Sequence, residues 1–118
     1  MNYALLIYGD DSAWVDLPDE EKAELRAAEM PEWVKLFEEL GKADPNVSGK
    51  ELDGRYTAKV VRVREGERIV TDGPFAETKE IVGGVFLTDL PDLDEAIRLA
   101  SLIPAAKHGS IEIRPVLQ

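Results

Sequence analysis

Two stretches of this chain are apolar on both faces of an extended backbone, and they constrain the fold more than any other feature. Tyr3 to Tyr8 is an unbroken apolar run closed by Gly9-Asp10-Asp11. As a strand it points Tyr3, Leu5 and Ile7 to one side and Ala4, Leu6 and Tyr8 to the other. Ile81 to Thr88, which contains Gly83-Gly84, also carries apolar residues on both faces. Such strands belong inside a sheet that is covered on both sides. What covers them has to come from the rest of the 118 residues, or from another molecule.

The remaining elements follow from periodicity and punctuation. Asp16 and Pro18 mark a helix start, with Asp19, Glu20 and Glu21 in the first turn, where the helix dipole favours acids. The helical pattern runs to about Leu40, with Gly41 as its stop. Pro31 is expected to kink or split it near Met30. Met30, Trp33, Phe37 and Leu40 form one stripe with Val34 beside them, read as core rather than as a ligand box. Residues 43–56 are rich in Asp, Asn, Pro, Gly and Ser and read as a loop with room for a short strand. Thr57–Arg64 and Arg68–Thr71 form a hairpin about Arg64-Glu65-Gly66-Glu67, expected near a sheet edge. Asp92 and Glu95 open a second helix as a capping box, Leu93, Ile97 and Ala100 supply its apolar stripe, and Pro104 ends it. Ser110–Leu117 is the last strand.

That order predicts an α+β fold: a ferredoxin-like sandwich with an added β-hairpin, a mainly antiparallel sheet and two helices on one face. Two helices cover one face only. The simplest cover for the other is a second copy of the chain, sheet against sheet, so a homodimer is expected.

Composition narrows the partners. The chain has 24 acidic and 14 basic residues, a net charge of −10. Phosphate binding rests on clustered Lys and Arg, so neither nucleic acid nor an anionic membrane surface is an expected partner. Of that charge, −8 lies between Asp10 and Glu39, which holds 11 acids and 3 bases. With no Cys, disulfides, thiolate metal sites and Cys nucleophiles are excluded. No basic leader precedes the first apolar run, and a cytoplasmic location is expected. A single domain spanning 1–118 is the expectation from length.

The most unusual segment follows Thr71. Asp72-Gly73-Pro74 is a tight reversal, Phe75 is placed to anchor the loop, and Glu77, Thr78, Lys79 and Glu80 put two carboxylates, a hydroxyl and an amine in four positions. Asp72 to Glu80 reads Asp-Gly-Pro-Phe-Ala-Glu-Thr-Lys-Glu. The segment resembles the signature of the DGPF (DGPFAETKE) group of the YCII-related family. The first strand, the Val-Arg-Val-Arg hairpin, the Gly83-Gly84 strand, Asp92-Leu93-Asp94-Glu95-Ala96 and the close from Ile103 to Val116 resemble that family in its order. The resemblance implies a dimeric α+β barrel of ferredoxin-like protomers. It implies no particular reaction, and whether the protein is an enzyme is left open. Family members often occur beside extracytoplasmic-function sigma factors, which implies a regulatory or accessory role as the alternative. The wider family has been proposed to use a His on the first helix with an Asp. By spacing the matching stretch is Ala28-Glu29-Met30-Pro31-Glu32-Trp33, which has no His, so that pair does not carry over.

The expected site is a small-molecule pocket beside this loop, walled by Tyr8, Phe75, Phe86 and Trp33. Asp72, Glu77 and Lys79 are its candidate catalytic groups, able to move a proton or hold a polar ligand. Tyr8, Asp10, Phe75, Thr78, Glu80 and Arg114 are candidate ligand contacts. Each has a structural alternative: Asp72 as a turn former, and Glu77, Lys79 and Glu80 as an ion-pair network that shapes the loop. Asp10 and Asp11 together are weak grounds for a cation, and the lone His108 reads as surface. No cofactor and no metal is expected.

Overall fold

The structure, a computed structural model, describes residues 1–74 and 78–117. Its elements are β1 (Asn2–Gly9), α1 (Ser12–Val15), α2 (Asp19–Ala43), β2 (Ser48–Glu51), β3 (Lys59–Arg64), β4 (Glu67–Asp72), β5 (Ile81–Asp89), α3 (Leu93–Ser101) and β6 (Ser110–Pro115). Short 3-10 turns occupy Arg55–Thr57 and Pro104–Lys107.

β2, β5, β1 and β6 lie side by side in that order and pair antiparallel throughout. Numbered among themselves, the four strands run 4-1-3-2, the ferredoxin-like arrangement. The two strands that are apolar on both faces take the two central places, as their composition requires. The second strand is the brief Ser48–Glu51 in the polar loop. The hairpin does not join the sheet edge as expected: β3 and β4 pair only with each other. Its two turn residues, Glu65 and Gly66, both have positive φ (52° and 79°), which matches a tight hairpin to the twist of its strands.

Leu5, Leu36, Leu40, Leu90, Leu99 and Ile103 are fully buried between the sheet and the helices, with Tyr3, Phe86 and Ala96 beside them. The helix-facing residues of β1 are thus Tyr3, Leu5 and Ile7. Ala4, Leu6, Val85 and Leu87 occupy the opposite face, Ala4 opposite Leu87 and Leu6 opposite Val85. Asp92 caps α3 by accepting from the Glu95 backbone N–H at 2.9 Å. Glu95 does not reach back to complete the box but pairs with Arg98 at 2.6 Å.

α2 starts where expected, with Pro18 before it and Asp19, Glu20 and Glu21 in its first turn, after a separate turn of helix at Ser12–Val15. It departs from expectation in two ways: it is not split at Pro31, and it passes Gly41 to end at Ala43. Pro31 costs one backbone hydrogen bond without dividing the helix. Of its 25 residues only Leu36 and Leu40 are buried. The C-terminal half packs on the sheet, and the N-terminal half overhangs it.

The candidate site at the end of the first strand

The overhang creates the site. Between the middle of α2, from Arg26 to Phe37, and the helix-facing side of the sheet lies a cleft of about 850 Å³. Ile7, Trp14, Met30, Trp33, Phe37 and Phe86 form its apolar lining. Trp33 and Phe37 meet at a tilt of 36° with centroids 5.8 Å apart, and Phe37 meets Phe86 edge-on at 6.4 Å. Glycine forms the floor for a steric reason. A Cβ on Gly49 would lie 2.5 Å from the Phe86 ring, and one on Gly84 3.2 Å from the Lys50 carbonyl oxygen. The stretch matched by spacing to the family's helix His borders this cleft through Glu29, Met30 and Trp33.

A second, polar recess of about 460 Å³ opens beside it, lined by Asp10, Ser12, Arg55, Asp72, Gly73, Pro74, Thr78 and Lys79. Asp10 borders both cavities. Arg55 organises the recess. Its Nε pairs with Asp11, and its backbone N–H donates to the same carboxylate at 2.8 Å. Nη2 reaches Asp10 at 3.2 Å and the Lys79 carbonyl at 2.7 Å, and Nη1 reaches the Thr78 carbonyl at 3.3 Å. One planar guanidinium thus joins the end of β1 to the segment after the signature turn. Ser12 donates to Asp10 from its N–H (3.0 Å) and hydroxyl (2.6 Å). Those bonds, with the charges of Arg55 and Lys79, hold the Asp10 carboxyl below its ordinary value.

Asp72 stands at the end of β4, directly opposite Lys59, and the two pair. The Lys59 ammonium lowers the Asp72 carboxyl below its usual range, and its side chain is 86% exposed. Gly73 closes the base of the hairpin by donating to the Ala58 carbonyl at 2.9 Å, and the Gly73–Pro74 peptide is cis. The Lys79 ammonium borders the recess and makes no ion pair among the described residues. Thr78 lines the recess while its hydroxyl donates to the Glu80 carbonyl at 2.6 Å. Glu80 is drawn off to β6, accepting from the Ser110 hydroxyl at 3.0 Å.

The expected contacts therefore divide. Asp10, Asp72, Thr78 and Lys79 come together at the recess, and Trp33 and Phe86 at the cleft. Tyr8 lends its backbone to the cleft, but its hydroxyl donates to Glu112 at 3.2 Å on the opposite sheet face. Desolvation, then Glu112, raises the Tyr8 hydroxyl above its ordinary value, with Arg114 opposing. Arg114, opposite Ala4 on β6, shares that far face and borders neither cavity. Phe75 and Glu77 lie outside the described residues. Sequence reasoning missed Arg55, which sits in a loop with no periodicity to mark it. It also missed Trp14 and Arg26, although the presence of just two tryptophans in the chain is a signal that could have paired Trp14 with Trp33.

Asp10 and Asp72, both shifted further into the acid range, are poor proton acceptors at neutral pH, so they suit holding a ligand better than acid–base work. Among the described residues no group of three or more His, Asp or Glu side chains is placed to hold a metal ion.

The whole chain, residues 1–118, matches the YCII-related domain, and the protein belongs to that family. It is also similar to an uncharacterized protein of Rhizobium meliloti (strain 1021), 39% identical over 121 residues, covering 98% of this chain and 92% of the relative.

Proposed function

We propose that the protein is a small-molecule-binding homodimer whose ligand lies in the cleft under α2 and reaches the recess beside the Asp72–Glu80 loop. One observation carries this reading: an aromatic cleft and a polar recess meet at Asp10. A cavity of this size, mostly apolar with a few converging polar groups, is the usual form of a small-molecule site. The test is a thermal-shift screen of soluble metabolites on wild type, Asp10→Asn and Trp33→Ala. A compound that raises the melting temperature of wild type and loses most of that shift in both variants supports the reading. A shift that survives both changes sinks it.

The homodimer rests on surface. The accessible area is 8426 Å², whereas a compact monomer of this mass exposes roughly 6,400 Å². Part of the surplus is the projecting hairpin. The rest includes the sheet face of Ala4, Leu6, Val85 and Leu87, where Leu87 is 49% exposed.

A second reading has a specific support. Asp19, Glu20, Glu21 and Glu24 are all exposed on the overhanging half of α2. As an acidic docking surface they would suit a basic region of an extracytoplasmic-function sigma factor. Co-purification at low salt that is lost on charge reversal of these four acids supports it. Retention unchanged by the reversal counts against it.

A further inference from the structure

The cleft also has a charge character, and it selects a class of ligand. Five carboxylates border it: Asp10, Asp11, Glu29, Glu51 and Asp53. Two guanidiniums answer them. Arg26 is committed to Glu51 at 2.9 Å, and Arg55 to Asp10 and Asp11. The other cation at the rim, Lys50, contributes backbone only. It pairs with Val85, so strand alternation turns its side chain to the opposite face of the sheet. Five carboxylates against two guanidiniums leave the cleft a surplus of negative charge, even though Arg26 acts on Glu29 as well as on Glu51.

Its apolar lining suits a cation as well. Arg26 already lies over the Trp14 ring, 5.1 Å from the centroid. The faces of aromatic rings attract positive charge, Trp most strongly. Trp33 and Phe37 present further rings on the same side as Glu29, which is half-buried.

We infer that the cleft under α2 takes an organic cation, a protonated or quaternary amine on a compact apolar body. The apolar body fills the space between the aromatic residues and the glycine floor. The ammonium lies towards Glu29, where acid and ring faces act together. This inference rests on the small-molecule reading above and adds the sign of the ligand's charge.

The chain's only tryptophans, Trp14 and Trp33, both line the cleft, so intrinsic fluorescence reports its occupancy directly. Three probes with one apolar body and no fluorescence of their own separate charge from shape: 1-adamantylammonium, 1-adamantanol and 1-adamantanecarboxylate. Each is titrated into wild type and Glu29→Gln at neutral pH. The ammonium is expected to bind about tenfold tighter than the alcohol, with the carboxylate weakest. Glu29→Gln should weaken the ammonium several-fold and leave the alcohol unchanged, an internal control that the variant is folded. If the carboxylate binds as tightly as the ammonium, or Glu29→Gln weakens all three alike, the charge assignment is overturned while a small-molecule cleft stands. If none of the three perturbs the tryptophans, the cleft reading falls with it.

Discussion

Single residues at the end of β1 hold the site in shape. Gly109 is the clearest case. A Cβ there would run into the Tyr8 carbonyl oxygen and close on Gly9, so β6 can begin beside β1 only with glycine. Gly109→Ala is expected to cost about 3 kcal/mol, read as a lower denaturant midpoint. An unchanged midpoint would refute that packing. Asp44 makes a different prediction. Its carboxylate accepts from the Asp89 N–H (2.9 Å), the Asn46 N–H (2.9 Å) and the Thr88 hydroxyl (3.3 Å). Those bonds, backbone donors first, hold it below the ordinary carboxylate value. A folded-state value below the unfolded one stabilises fully above the ordinary range and is lost as pH falls through the depressed value. Unfolding free energy followed against pH should therefore fall below about pH 4, and the fall should be shallower in Asp44→Ala. Parallel curves would show that Asp44 is not coupled to folding. Arg55 itself did not announce itself in sequence, although its partners Asp10, Thr78 and Lys79 did, because an arginine's role depends on which carboxylates the chain brings back to it.

At the scale of elements, α2 decides whether there is a cleft. Its overhang follows from where its buried residues fall: Leu36 and Leu40 anchor the C-terminal half, and nothing in the first three turns is buried. Helix stability in proteins comes mostly from packing. Amides of residues 20–29 should therefore exchange with deuterium faster than those of 33–43, and a bound ligand should slow the former. Equal protection of both halves without ligand would mean that the overhang is packed after all. The hairpin shows the reverse imbalance. Its register and turn were legible from Glu65-Gly66 and the alternating valines. Its placement was not, because Val61, Val63 and Val70 mark an apolar surface without saying what it faces. All three are more than half exposed.

For the whole molecule, the dimensions are 46 × 42 × 20 Å, with a radius of gyration of 16.2 Å, against about 13.5 Å for a compact chain of this length. A single layer of helices on a single sheet leaves a broad apolar sheet face, and a second copy is the proposed cover. Leu6→Asp combined with Leu87→Asp should convert a dimer into a monomer in sedimentation equilibrium while retaining the far-ultraviolet circular dichroism. A wild-type monomer, or a variant that stays dimeric, would remove that assignment. Tyr8, Glu112 and Arg114 would then form a polar rim beside the apolar centre, which is a structural role for Tyr8 and Arg114, first expected to touch ligand.

The sequence by itself determined the central strands, the Asp92 cap of α3, the hairpin turn and the family, because each depends on residues close together along the chain. The local signature supplies one side of the recess through Asp72, Gly73, Pro74, Thr78 and Lys79. Only the tertiary structure decided that the second sheet strand is Ser48–Glu51, that the hairpin pairs with itself, and that Arg55 joins β1 to the signature. It alone placed both tryptophans in one cleft. These outcomes rest on contacts between residues far apart in the chain. Periodicity does not encode such contacts; they arise when apolar faces with no local partner are buried together.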